Sequence, residues 1–274
     1  MAQRQLDALH RTRVKSSIPW LWGGIALLYP GILAILVFFP GASLLNRLSW
    51  LDSGVCAQIL THSFYPGGER LPLCARNTGI YLGFVVTLMT LYGAGKGQAQ
   101  RLPPWPLFTF LVLGVVTLAV DGFNSFLLDL GQPHLYQPDN LIRLATGLLT
   151  GLTMALLLLP MLNRLFWRGY NEQRSVSSWK TLVLYLPALI ICFFAIASQN
   201  TFILYPIALL STAGILTALS SINLIAIVGF SRRDETFERY RELLPFFGLA
   251  LLFAIGEMLL LAQLKFTLLH ALGM

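Results

Sequence analysis

Charge is scarce in this sequence. Of its 274 residues only 11% are Asp, Glu, Lys or Arg, while 56% are hydrophobic, and a chain so composed cannot keep its apolar surface out of water as a soluble domain does. Cysteine (three) and histidine (four) are also few. No CxxC, HExxH, Walker loop or dinucleotide glycine fingerprint occurs, which removes the usual sequence signatures of redox pairs, metalloproteases and nucleotide-binding enzymes. The formal charge of +7 does not imply nucleic acid as a partner, because Lys and Arg come in short clusters between apolar runs rather than along one soluble face.

What the chain has in abundance is apolar runs near or above the roughly 20 residues a helix needs to cross hydrocarbon. Residues 1–17 form a polar flank carrying Arg4, Arg11, Arg13 and Lys15. The first run, about Ile18 to Pro40, is too long for a signal-peptide core and lacks a small-x-small exit, so it reads as a retained anchor. Further runs follow at about 78–95, 106–130, 140–162, 179–198, 201–230 and 243–270. The expected fold is all-α, a single transmembrane domain over 18–274 with about seven helices. Lys96 and Arg101, then Arg164, Arg168, Arg174 and Lys180, then Arg232, Arg233, Arg239 and Arg241 fall on the same side as the N-terminal flank, whereas Arg47, Arg70, Arg76 and Lys265 fall on the other. Cytoplasmic loops retain basic residues, so the N-terminus is expected in the cytoplasm and the loop at 41–77 outside.

That outer loop and the run starts beside it concentrate the reactive side chains. Cys56, His62 and Cys74 supply three potential metal ligands where a structural zinc site needs four, so no metal and no cofactor is expected. Two readings fit the cysteines: a disulfide on an oxidising outer face, or unpaired buried thiols. Without a CxxC, thiol–disulfide catalysis is the weaker reading, and Cys192 reads as a packing residue. Charges inside apolar runs are retained only with a partner or a function. Asp121, within the third run, and Arg143, opening the fourth, are candidate partners. Thr78-Gly79-Ile80-Tyr81-Leu82-Gly83 and Thr146-Gly147-Leu148-Leu149-Thr150-Gly151 each follow an arginine, and such small-residue spacings let helix backbones approach. Arg76 and Arg143 could thereby converge at one mouth, with Asn140, Asn124 and Asp129 on the same side. Such a group is either a structural network or a fork for carboxylate or phosphate. The adjacent His62 and Ser63 would be base and nucleophile if the site were catalytic, which leaves enzymatic activity open. Glu257, in the last run, is either a protonated core carboxyl or the ion site of a solute transporter.

The segment Leu71-Pro72-Leu73-Cys74-Ala75-Arg76-Asn77-Thr78-Gly79-Ile80-Tyr81-Leu82-Gly83, with an upstream cysteine and a Ser-Phe followed by a glycine turn, resembles a family of polytopic prokaryotic membrane proteins, the domain of unknown function 2085. The resemblance covers about residues 50–155. It implies a multi-pass protein of the prokaryotic cytoplasmic membrane and assigns no activity. This chain departs from the family pattern at Ala57, where a histidine is usual, and at Asn77, where a further cysteine is usual, so a Cys/His metal set would be incomplete here. The expected partners are membrane lipids and an anionic small molecule or lipid headgroup held by Arg76 and Arg143, with Asp121 orienting one of them. The alternatives are a small-solute transporter or a non-catalytic scaffold with a disulfide-closed loop.

Overall fold

Residues 43–271 are described by the computed structural model; the expected first helix, about Ile18 to Pro40, and the basic flank before it lie outside them. Among the described residues the chain is helical. Helices α1 (Leu44–Asp52), α2 (Ala75–Gly93), α3 (Trp105–Asp129), α4 (Asn140–Phe166), α5 (Trp179–Val183), α6 (Leu186–Ala197), α7 (Leu204–Phe230) and α8 (Tyr240–Ala271) follow in order. Short 3-10 turns occur at Leu60–His62, Pro66–Gly68 and Thr201–Ile203.

Among the described residues five segments are long and apolar enough to cross a membrane: α3, α4, the pair α5–α6, α7 and α8. The expected count of seven is therefore not reproduced within 43–271. One expected span lies outside them, and α2, although 19 residues long, is not among the five. Its first turn carries Arg76, Asn77 and Thr78, which lower its affinity for hydrocarbon. The expected run at 179–198 is broken after Val183, and Pro187 opens α6, since proline has no N–H to continue the ladder.

The bundle is organised on the crossing of α2 and α4. Gly79 lies against Leu144 and Gly147, and Gly83 and Gly151 follow one turn further along both helices, so the two run parallel. A methyl group on Gly79 would stand 2.6 Å from the Leu144 carbonyl oxygen, and one on Gly83 2.7 Å from that of Leu148. Backbone-to-backbone contact of this kind needs residues without a Cβ. Around this pair Leu82, Phe84, Leu144, Leu152 and Leu156 form the main core. Helix α7 closes on α2 through Gly214, which meets the Tyr81 backbone, and α8 packs on α7 and α1. Helix α3 stays peripheral, with Leu113, Val116 and Phe123 exposed on the outside of the bundle.

The loops gather at two ends. At the basic end the N–H groups of Gln100 and Arg101 donate to Gln173 O, and that of Arg168 donates to Phe237 O. Asn163 Nδ2 donates to Gly97 O and Ala99 O at 2.9 Å each. At the opposite end the Gly67 N–H donates to Gln199 O at 3.0 Å, seating the Pro66–Gly68 turn on the tight turn between α6 and α7. Gln199 itself has φ +48°. The loop carrying Cys56, His62 and Cys74 lies at this second end.

Candidate functional site: two arginines on one carboxylate

The site is built where α2 and α4 begin and α3 ends. Parallel packing of α2 and α4 puts their N-termini side by side, so Arg76, in the first turn of α2, and Arg143, in the first turn of α4, share one mouth as the paired TGxxxG segments predict. Helix N-termini carry partial positive charge. Two cations placed there repel that end of each helix unless an anion balances them.

Asp121 supplies part of the balance. The expected partnership of Asp121 with Arg143 is corrected by the geometry: the carboxylate takes Arg76 instead. Arg76 Nε and Nη2 donate to Asp121 Oδ2 at 3.2 and 2.5 Å, and Nη2 also donates to Ser125 Oγ at 3.1 Å. Tyr136 OH donates to the other oxygen, Oδ1, at 2.9 Å. The Asp121 side chain is 1% exposed and that of Arg76 22%. Arg76 reaches the carboxylate because it projects from α2 toward α3, where its guanidinium lies beside Gly122.

Arg143 remains close but without a carboxylate in direct contact. Nη1 donates to Asn140 Oδ1 at 2.8 Å and Nη2 to Ser125 Oγ at 3.4 Å, and Nε, although buried, has no hydrogen-bond partner among the described residues. The residue is 4% exposed. Asn140 Nδ2 in turn donates to Thr61 O and Ser63 O, tying the cysteine-bearing loop to the start of α4. Asn124 closes the other side: its Oδ1 accepts from Leu135 N at 2.6 Å and its Nδ2 donates to Tyr136 O at 2.8 Å, which fixes the loop that presents Tyr136.

His62 Nε2 stands 3.4 Å from Asp129 Oδ1. Burial, then the positive charges of Arg143 and Arg76, hold its imidazole below the usual histidine range in spite of Asp129, so it is neutral at pH 7. Ser63 Oγ donates to Ile59 O at 3.0 Å. His62 and Ser63 thus face different partners and do not form a base–nucleophile pair. Glu257 is placed on the exposed surface of α8, accepting from Asn223 Nδ2 at 3.2 Å, so it is not a core carboxyl. It also belongs to the α7–α8 side of the bundle, whereas Asp121 belongs to the α3–α4 side.

The two loop cysteines form a second polar cluster at the same end, around the start of α2. They are free thiols. Beneath them lies Asp52, fully buried, which accepts from Thr212 Oγ1 at 2.8 Å through Oδ2. Burial pushes its carboxyl up to about 7, partly offset by the Thr212 hydrogen bond and reinforced by Cys56. The folded protein therefore holds a proton that an unfolded chain gives up near pH 4, so this group's contribution to stability is complete below pH 4 and is lost as pH rises to about 7. Cys56, Cys74, Tyr81 and Lys265 are the titratable groups around it. Thermal unfolding in detergent between pH 4.5 and 8 is expected to show Asp52→Asn gaining on the unmodified protein by up to about 1.4 kcal/mol per pH unit, and parallel profiles would remove the assignment.

Sequence reasoning missed Ser125, Tyr136, Asp52 and Thr212. Ser125 had a signal, since Asp121, Asn124 and Ser125 recur at helical spacing on one face of an otherwise apolar segment. Tyr136 and Thr212 had none, because a loop tyrosine and a helix threonine are ordinary until their partners are known. No group of three or more His, Cys, Asp or Glu side chains suited to a metal ion occurs among the described residues.

No solved structure matches this chain. An uncharacterised protein of the archaeon Methanocaldococcus jannaschii, MJ1492, is 26% identical over 118 residues, which is 43% of this chain and 69% of that protein. Residues 56–157 match the family described as "Predicted membrane protein (DUF2085)". That segment runs from Cys56 into α4 and contains both arginines, and over it the chain is similar to this family of predicted membrane proteins.

Proposed function

We propose that the mouth between α2, α3 and α4 is an extracytoplasmic binding site for an oxyanion, a phosphate or carboxylate, presented by a lipid headgroup or a lipid-linked group. The observation that carries this reading is Arg143: a residue 4% exposed, whose buried Nε has no hydrogen-bond partner among the described residues, beside a second arginine that already occupies Asp121. Burying a charge without a matching partner is costly, and a bidentate oxyanion at this position would satisfy it. Two helix N-termini favour the same charge. Arg76, partly exposed, gives the site its approach from solvent or from the headgroup layer.

Purified protein in detergent should retain phosphatidylglycerol over phosphatidylcholine in native mass spectrometry. Arg143→Gln should weaken that retention by about tenfold or more, as expected for loss of a hydrogen bond to a charged group. Inorganic phosphate that displaces the lipid would identify the phosphate as the recognised group. Failure of phosphate to compete, with lipid selectivity kept, would identify the whole headgroup. Equal retention of both lipids, unchanged by Arg143→Gln and with no binding of phosphate, would leave the arginines as a structural network.

A further inference from the structure

The start of α2 lacks a conventional cap. Cys74 occupies the capping position and its side chain makes no capping bond. The sulfur of Cys56 does so in its place, accepting the Cys74 N–H at 3.4 Å. The Cys74 thiol, the Gln58 backbone and the Asn77 side chain are the other polar groups close enough to this sulfur to favour its thiolate. Cys56 is 3% exposed, while Cys74 is partly exposed. Asp52, beneath the pair, has one carboxylate oxygen on Thr212 and the other, Oδ1, buried without a hydrogen-bond partner among the described residues.

From this arrangement we propose that Cys56 and Cys74 form a thiol–disulfide exchange centre for an external dithiol, with Cys74 as the sulfur that meets the partner, Cys56 as the leaving sulfur, and Asp52 as the proton acceptor. The proposal does not depend on the oxyanion site.

Starting from the closed disulfide, a thiolate of the partner dithiol attacks Cys74 Sγ. The Cys56–Cys74 bond breaks, and its electron pair goes to Cys56 Sγ as the mixed disulfide forms on Cys74. The partner's second sulfur then attacks its own first sulfur. The partner leaves as a disulfide, oxidised by two electrons, and the electron pair of the broken bond goes to Cys74 Sγ. Of the two protons the dithiol releases, one goes to Cys74 and the other to Asp52, while Cys56 stays a thiolate. The reverse sequence oxidises the protein's dithiol at the expense of a partner disulfide.

The local electrostatics suit these roles. Hydrogen bonds from the Cys74 side chain and backbone draw the Cys56 thiol below the usual range, against its burial, whereas the Cys74 thiol is held above it. A sulfur whose thiolate is stabilised leaves more readily, and attack falls on the sulfur that can be reached. A low-pKa thiol therefore arises here at a helix N-terminus without the CxxC spacing that signals one in sequence.

The full-length protein, purified in detergent, is equilibrated with mixtures of dithiothreitol and its cyclic disulfide, then acid-quenched, alkylated and weighed intact. The expected result is a two-electron interconversion between a form with three alkylated cysteines and one with only Cys192 alkylated. With oxidised glutathione, Cys56→Ser should trap a mixed disulfide on Cys74 at least about tenfold faster than Cys74→Ser traps one on Cys56, because access decides which sulfur reacts. Asp52→Asn should slow reduction of the closed form near neutral pH while leaving the disulfide able to form. Three thiols alkylated at every poise would overturn the proposal without recourse to any variant. Equal trapping by the two cysteine variants would overturn the assignment of Cys74 as the entry sulfur.

Discussion

Asp121→Ala is expected to lower the unfolding free energy in detergent by about 3 kcal/mol, toward the lower end of the range for removing one partner of a buried ion pair. The carboxylate is 1% exposed and meets Arg76 through one oxygen and Tyr136 OH through the other. Without it, Arg76 and Arg143 face each other across Ser125 with no intervening anion. The 22% exposure of the Arg76 side chain lets solvent relieve part of that repulsion, which places the effect at the lower end. Combining Asp121→Ala with Arg76→Gln should cost less than the sum of the single changes, by about 1 to 2 kcal/mol of coupling. The same cycle with Arg143→Gln should show weaker coupling, since Arg143 reaches Asn140 and Ser125 rather than the carboxylate. Denaturant titrations of the four proteins in each cycle measure both quantities. Additive losses in the first cycle would contradict the paired geometry.

The second large effect lies at the crossing of α2 and α4. Gly79→Ala and Gly83→Ala each place a methyl group against a backbone carbonyl, of Leu144 and Leu148, rather than against a side chain that can rotate away. Relief requires the helices to separate along the whole crossing, because their contacts continue through Gly147 and Gly151. Each substitution is expected to cost about 1 to 3 kcal/mol, as overpacking usually does, and Gly79→Leu considerably more. Gly256→Ala in α8 is the control: nothing lies within 4 Å of the position its methyl would take. The added helix propensity should leave that variant as stable as the parent or up to about 1 kcal/mol more so. Equal losses at Gly79 and Gly256 would show that the crossing tolerates separation.

The long apolar runs declared a helical membrane bundle, and the paired TGxxxG segments indicated which helices carry the site to one mouth. Both follow from interactions local in sequence: periodic apolar side chains, and glycines at a spacing that clears one helix face. The exchange of partners, Asp121 taking Arg76 rather than Arg143, was not legible. The polar face of α3 is marked by Asp121, Asn124 and Ser125, but which of two neighbouring arginines its carboxylate meets depends on how three helices pack, which spacing within one segment does not announce. Asp52 escaped for a related reason. Its burial depends on α7 and α8 closing over α1, a contact between segments about 160 residues apart that joins it to Thr212. Glu257 shows the converse, since a charge in the middle of an apolar run reads as interior while α8 turns it to the surface.

The parallel crossing has a consequence for how the chain is made. Helix α2 emerges from the ribosome well before its partner α4, with the whole of α3 between them, and it is the long described helix least able to remain in hydrocarbon alone. Its arginine is neutralised by a residue of α3, and its glycine face packs on α4. A nascent chain that ends after α2 thus presents the insertion machinery with a segment whose commitment to the bilayer is provisional. Synthesis through Asp121 supplies its counter-charge, and synthesis through Gly151 supplies its packing surface.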